Sequence, residues 1–264
     1  MDGLFIGFSL IFGLIIGSFL NCFIWRVYEE ESLGGRSHCR DCKKTISWYD
    51  NLPVLSYLIL GGRCRHCKKH ISWQYPIVEA LVGLLFMLVI WQLNKQFGPI
   101  DLWSLNNWLV LLRNWFLVSV FTIIFVMDLR WYVILDKISL TAAVVVLALN
   151  LWLGMSWQGL LISATIGIGF FLVQFIVSRG RWIGGGDIRL GLLLGVAFSW
   201  PYVVATIFLA YTVGALVGVL LLAFGKKHWG SKLPLGTFLS VAALIILLYG
   251  PVIVNWYLNL INLR

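Results

Sequence analysis

The fold class that this sequence predicts is an all-α polytopic membrane protein with about eight transmembrane helices and a small cytoplasmic four-cysteine zinc-binding insert. Three observations predict it. The chain is 60% hydrophobic and 12% charged, with a mean hydropathy of +0.91, far more apolar than a soluble domain. The apolar residues gather into blocks separated by polar junctions. The basic residues crowd into every second junction, as they do in chains threaded through a membrane.

In order, the apolar blocks fall at roughly 4–25, 76–94, 107–127, 137–154, 158–178, 187–199, 202–224 and 235–257. Most approach the ~20 residues that a helix needs to cross a bilayer. Segment 4–25 has no basic start and no small-residue cleavage site, and Arg26 follows it, so it reads as a span and not as a signal peptide. Segment 187–199, between Asp187 and Trp200-Pro201, is short for a crossing.

Eight crossings put both termini on one side, and the charges say which. Segment 26–75 carries Arg26, Arg36, Arg40, Lys43, Lys44, Arg63, Arg65, Lys68 and Lys69. The third, fifth and seventh junctions add Arg130 and Lys137, then Arg179, Arg181 and Arg189, then Lys226, Lys227 and Lys232. Only Lys95, Arg113 and Arg264 of the 20 Lys and Arg remain for the other side. The bias makes these four regions cytoplasmic and both termini external, in a cytoplasmic (inner) membrane. It also explains the net charge of +9 without a nucleic-acid partner. The chain then divides into a first transmembrane helix (1–26), a cytoplasmic zinc-binding domain (27–75) and a transmembrane domain (76–264). No long low-complexity stretch and no convincing internal repeat is apparent.

The insert holds Cys39-Arg40-Asp41-Cys42 and Cys64-Arg65-His66-Cys67, two C-x2-C pairs with 21 residues between them. Thiolates two residues apart grip one side of a tetrahedral ion, and a second pair closes it. A closed four-thiolate site leaves no open position, so the zinc is structural. So short an insert buries too little apolar surface to fold well alone, and metal binding makes up the deficit. Two disulfides are the alternative, which a reducing compartment disfavours. His38, His66 and His70 lie close enough in sequence to replace a thiolate, but read better as surface residues. Cys22, inside the first span, reads as a small buried hydrophobe.

Two acids stand at the ends of spans. Asp128 closes the third, and Asp187 opens the sixth after Gly184-Gly185-Gly186. An acid at the edge of hydrocarbon is by default a functional candidate, and the glycines let another backbone come close. If the two meet, they share a proton and titrate as a pair. One then activates water while the other polarises a scissile carbonyl and protonates the leaving amine. The bland alternatives are that Asp187 caps a helix, that Asp128 pairs with Arg130 or Arg189, and that Asp136 caps the fourth span. The chain has no Gly-x-Ser-x-Gly and no His-Glu-x-x-His, and all four histidines lie in cytoplasmic segments.

The motifs resemble those of the type IV prepilin peptidases, bifunctional leader peptidases and N-methyltransferases among the aspartyl proteases with a Gly-x-Gly-Asp motif. Gly17-Ser18-Phe19-Leu20-Asn21 with Arg26 is similar to the first-span signature. Arg36-Ser37-His38-Cys39 opens the cysteine domain, Trp48 to Tyr57 lies between the knuckles, and Gly61-Gly62-Arg63-Cys64 with Ile71 to Glu79 closes it. Asp128 with Ile134-Leu135-Asp136, and Gly184 to Asp187, are similar to the two catalytic motifs. The chain departs from the pattern at Leu135, where Pro is usual, and at Gln74, where Arg is usual.

The resemblance implies a membrane aspartic endopeptidase with Asp128 and Asp187 as the catalytic pair and Asp136 beside them. It implies prepilin or pseudopilin substrates, cut between a basic cytoplasmic leader and an apolar helix lying in the bilayer. It further implies methylation of the new N-terminus from S-adenosylmethionine, with Gly62 and Arg63 important in the N-terminal region. Glu79, an acid at the start of the second span, is a candidate to hold the sulfonium or the new amine; a salt bridge to a nearby Arg or Lys is its alternative. Rival readings are an intramembrane aspartyl protease with other substrates, a non-enzymatic assembly factor, and a transporter using both acids as a relay. The last would want acids near the bilayer midplane.

Overall fold

The computed structural model describes residues 2–97, 104–226, 228 and 231–260. Lys227 and Arg264, part of the charge asymmetry, lie outside the described residues. The described residues form a helix in each expected span, within two residues of the expected end where three of them stop short, and hold no strand, only isolated bridges pairing His38 with Thr45 and Arg63 with His70. The chain forms two compact units, Met1–Leu102 and Trp103–Arg264.

In the first unit, helices α1 (Asp2–Tyr28) and α3 (Gln74–Phe97) flank the cysteine insert, which carries a 3₁₀ turn (Trp48–Asn51) and a short helix α2 (Leu55–Ile59). Glycines set how closely α1 and α3 pack. A Cβ on Gly13 would lie 2.8 Å from the Gly83 Cα, and one on Gly17 would lie 2.7 Å from the Glu79 Cα. Small residues at such crossings bring the backbones together where lipid gives no hydrophobic drive. One turn further on, buried Asn21 donates to the Tyr75 carbonyl (3.1 Å) and accepts from the Gln74 amide (3.2 Å). At the end of α1, buried Arg26 donates to the carbonyls of Leu33, Gly34, Gly35 and Arg36 at 2.5–3.2 Å. That fan of bonds shapes the entry into the insert.

The second unit contains α4 (Leu105–Trp131), α5 (Asp136–Trp152), α6 (Trp157–Ser178), α7 (Gly185–Ala197), α8 (Tyr202–Ala223) and α9 (Leu235–Leu260). Its core includes Phe121, Phe171, Leu190, Leu193, Leu194 and Leu239, each wholly buried. Helix α7 lies against α5 and α6. Glycine again allows this, since a Cβ on Gly191 would lie 2.5 Å from the Gly167 carbonyl oxygen. Asn150 of α5 donates to the Val196 carbonyl of α7 at 2.7 Å, and Arg113 of α4 donates to Asn150 at 2.8 Å.

All eight expected spans are helices, and the all-α class holds. Six of them (α1, α3, α4, α6, α8 and α9) are long and apolar enough to cross a membrane. Helices α5 and α7 have 17 and 13 residues, so the expected count of eight crossings is a loose one.

Candidate active site and metal centre

The two cysteine pairs fold as near copies of one turn. In each, the first cysteine accepts from a lysine N–H (Lys43 to Cys39, 2.9 Å; Lys68 to Cys64, 3.0 Å) and donates to the carbonyl of the next lysine. The lysines at the bend, Lys43 and Lys68, both have positive φ, +56° and +61°. The sequences explain the likeness: Cys39–Trp48 and Cys64–Trp73 differ only at Asp41/His66 and Thr45/His70. This is an internal repeat, contrary to the expectation of none. A ten-residue unit is too short to register as a domain repeat, but aligning the pairs on their cysteines reveals it.

The four sulfurs lie within 4.8 Å of one another, and Cys39 Sγ and Cys67 Sγ are 3.8 Å apart. That is far beyond a disulfide bond, and all five cysteines are free. A tetrahedral zinc with Zn–S bonds of about 2.3 Å needs sulfurs about 3.8 Å apart, so donor set and spacing fit the ion. The Cys67 N–H, helped by the His66 N–H, points at the Cys64 sulfur and pulls its thiol down to about 7, towards the thiolate that a metal requires. Ion pairs join the two knuckles: Lys69 with Asp41 (2.7 Å), and Arg65 with Asp50 through two bonds of 2.6 and 2.7 Å. The Arg65 guanidinium holds the Asp50 carboxyl below the usual carboxylate range. His38 pairs with Glu31 at 3.5 Å, and no histidine belongs to the thiol cluster.

The knuckles, the end of α1 and the start of α3 enclose a cavity of about 650 Å³, within the usual range for small-molecule sites. Trp25, Tyr57 and Tyr75 supply aromatic walls, and Glu31, Asp50 and Glu79 supply acids. Glu79 is buried and accepts from the Val54 N–H at 2.7 Å. It forms no ion pair among the described residues, so the expected alternative of a salt bridge is not seen. Gly62 and Arg63 do not line the cavity. Gly62, at φ +67°, stands where a Cβ would come 2.8 Å from the Tyr57 hydroxyl, so it bears on the cavity through Tyr57. Cys22 is half-buried and borders the cavity.

The second unit brings the aspartates together. Asp128 lies in the last turn of α4, and Asp187 in the first turn of α7. They are 5% and 7% exposed. Ile134, between α4 and α5, marks the contact. A Cβ on Gly186 would meet its Cβ at 3.0 Å, and one on Gly236 would meet its Cδ1 at 2.8 Å and the Asp128 Cγ at 3.1 Å. Asp187 Oδ2 accepts from the Gly184 N–H at 2.9 Å, so Asp187 also caps its helix. Asp136 stands apart as a half-exposed ion pair with Arg189, 2.5 Å, so Arg189 pairs with Asp136 and not with Asp128.

Sequence reasoning missed the fourth part of this cluster. At the start of α9, Thr237 donates to Asp128 Oδ2 from its backbone N–H (2.6 Å) and its hydroxyl (3.0 Å). Gly236, next to it, leaves the space that the Asp128 carboxyl fills. Pro234-Leu235-Gly236-Thr237, a Pro and a Gly just ahead of an apolar run, was the available signal.

These features define a polytopic helical membrane protein with a four-thiolate insert and two buried aspartates meeting at helix ends. The family model described as the bacterial peptidase A24 N-terminal domain matches residues 11–93, and that of the type IV leader peptidase family matches residues 115–219. A protein of Pseudomonas putida named prepilin leader peptidase/N-methyltransferase is 30% identical over 282 residues, covering 93% of this chain and 91% of its own. Proteins of the same name from Pseudomonas aeruginosa and Myxococcus xanthus are 29% and 33% identical. The first alignment covers 95% of this chain and 92% of the relative; the second covers 84% and 65%. No solved structure matches the chain. The chain belongs to the type IV leader peptidase family.

Proposed function

We propose that this protein removes the basic leader of type IV prepilins or pseudopilins at the cytoplasmic face of the inner membrane. It then methylates the new N-terminus using S-adenosylmethionine. The observation that supports the reading is that Asp128 and Asp187, two buried acids 59 positions apart in sequence, come to the same cluster, where Ile134 packs against Gly186 and against Gly236 beside Asp128.

In the proposed dyad the two acids share one proton, as carboxyls in contact do. The ionised carboxylate takes a proton from water as it attacks the scissile carbonyl carbon. The protonated one donates to the carbonyl oxygen, and the collapse of the tetrahedral adduct expels the leaving amine with a proton from the dyad. Thr237 gives Asp128 Oδ2 two donors, which favours Asp128 as the ionised partner. The basic residues around the insert and the junctions support placing the insert in the cytoplasm, where the leader lies, and the termini outside.

Cys39, Cys42, Cys64 and Cys67 would hold a zinc ion, which would serve a structural role in shaping the insert. The size of the cavity beside it suits the methyl donor, and Glu79 offers it a carboxylate; the Trp25 and Tyr75 faces already carry the Arg40 guanidinium, 3.5 and 4.9 Å from the ring centroids. S-adenosylmethionine, when bound, supplies an electrophilic methyl group. Glu79 anchors the sulfonium or the incoming amine, Gly62 acts by allowing Tyr57 to stand in the wall, and Arg63 braces the second knuckle from outside the cavity.

The test is prepilin processing in liposomes, following leader loss and transfer of labelled methyl. Asp128→Asn and Asp187→Asn each abolish cleavage while the protein stays folded and metal-loaded. Glu79→Gln spares cleavage and removes methylation. Cleavage that survives Asp128→Asn but not Asp136→Asn moves the dyad to Asp136. An intact protein that cuts no prepilin or pseudopilin refutes the proposal.

A further inference from the structure

We infer that helix α2 (Leu55–Ile59) of the cysteine insert is seated in the lipid of the cytoplasmic leaflet, so that the insert rests on the bilayer and its cavity has a wall at membrane depth. The seat depends on α3 crossing the membrane and not on the chemistry proposed above.

The depth of α2 is set by one hydrogen bond. The Val54 N–H, at the head of α2, donates to Glu79 Oε2. Glu79 is five residues into α3, about 7.5 Å along its axis at 1.5 Å per residue. Helix α3 is apolar and long enough to cross from Gln74 to Lys95. So α2 runs beside the first turns of a membrane helix, not out in solution.

The faces of α2 agree with that depth. Ser56 and Tyr57 are buried, and both line the cavity. Leu55, Leu58 and Ile59 are 55%, 66% and 70% exposed. Three large aliphatic side chains bared on five residues is a pattern that water penalises and lipid rewards.

Helix α3 itself bares apolar side chains to lipid. Ile77 and Leu84 on α3 are bared as well. Trp73, just before α3, is exposed, with its ring 5.1 Å from that of Tyr57 on α2. Tryptophan gathers at this level of a bilayer. Arg63, Lys68 and Lys69 follow within ten residues, a basic flank suited to anionic headgroups. Together these observations select lipid, and not a soluble partner, as what covers α2.

The experiment uses the full chain, zinc-loaded, with Cys22→Ser and one added cysteine carrying an environment-sensitive fluorophore. The probe site is Ile59→Cys, with Leu58→Cys as the second site and exposed Arg36→Cys as the aqueous control. The protein is reconstituted in phosphatidylethanolamine–phosphatidylglycerol vesicles. Quenching by lipids brominated near the headgroup is expected to be several-fold stronger at 58 and 59 than at 36, with iodide quenching weaker by a similar factor. Iodide quenching equal to that at 36 would place α2 in water and overturn the inference. Shielding from both quenchers would place protein over α2, from this chain or a second copy, and would overturn it equally.

Discussion

Replacing Gly236 with alanine tests the site at its tightest point. The added Cβ would lie 2.8 Å from Ile134 Cδ1 and 3.1 Å from both Asp128 Cγ and Asp128 Oδ2. Ordinary carbon contacts begin near 3.5 Å, so the shortfalls are about 0.7 Å at Ile134 and about 0.4 Å at Asp128 Cγ. Ile134 Cδ1 is the free end of a side chain and can rotate away. The Asp128 carboxyl is held by the two Thr237 donors, so it must shift or carry the head of α9 with it. Overpacking of this kind costs about 1–3 kcal/mol, set against up to ~1 kcal/mol from replacing a helical glycine. The fold therefore survives. Catalysis is more sensitive, since a displacement of about 1 Å can cost about a hundredfold. A shift of about 0.4 Å at one member of the dyad should then lower the cleavage rate by roughly tenfold. The assay is the initial rate of prepilin cleavage in liposomes, read with the melting temperature. The control is Gly169→Ala on α6, where a Cβ meets nothing within 4 Å. Wild-type cleavage by the Gly236→Ala protein, with an unchanged or higher melting temperature, would refute the reasoning.

Three further outcomes are expected. Thr237→Val keeps the backbone N–H but removes the hydroxyl donor to Asp128; a hydrogen bond to a charged group contributes about 1.5–3 kcal/mol, so cleavage should fall about tenfold or more, and an unchanged rate would deny Thr237 its role. Cys64→Ser should lower the bound zinc measured by atomic emission and abolish methyl transfer, and undiminished zinc would mean that three thiolates suffice. Asp50 should stabilise the insert through Arg65. Because that carboxyl is held below its usual range, its contribution is present above the unfolded carboxylate value of about 4 and is lost as pH falls below it. The melting-temperature difference between wild type and Asp50→Asn should therefore be constant above pH ~5 and shrink as the pH falls below ~4; a difference that grew on acidification would contradict the pairing.

The helices were legible because hydropathy alone marks them, and every expected span is one. Their number as crossings was less so: α5 and α7 are held by contacts with neighbours, such as Asn150 to Val196, and such support leaves no trace in a hydropathy window. The thiol cluster was legible from its spacing, since C-x2-C pairs fix their own local geometry. The cavity beside it was not, because Trp25, Tyr57 and Glu79 are far apart in sequence. For the same reason Asp128 and Asp187 could be named as candidates, while Thr237, 109 residues from Asp128, could not. Pro234 and Gly236 mark a helix start beside it, but nothing in the sequence says that the threonine there faces Asp128.

Helix α7 also bears on how hydrolysis is supplied with its co-substrate. Thirteen residues make a rod of about 20 Å, against a hydrocarbon thickness of about 30 Å. Asp187 sits at one end of that rod and the Phe198 turn at the other. Helices α6 and α8 have 22 residues each and suffer no such shortfall. If α7 crosses at all, about 10 Å of the membrane's thickness along it must be made up by thinned lipid or by a wet recess bounded by protein. If the recess lies at the Asp187 end, and that end faces the cytoplasm as proposed, water reaches the proposed dyad from that side while the substrate's apolar helix stays in the bilayer. On that view the truncated helix is the channel by which a bond at the edge of oil is exposed to water.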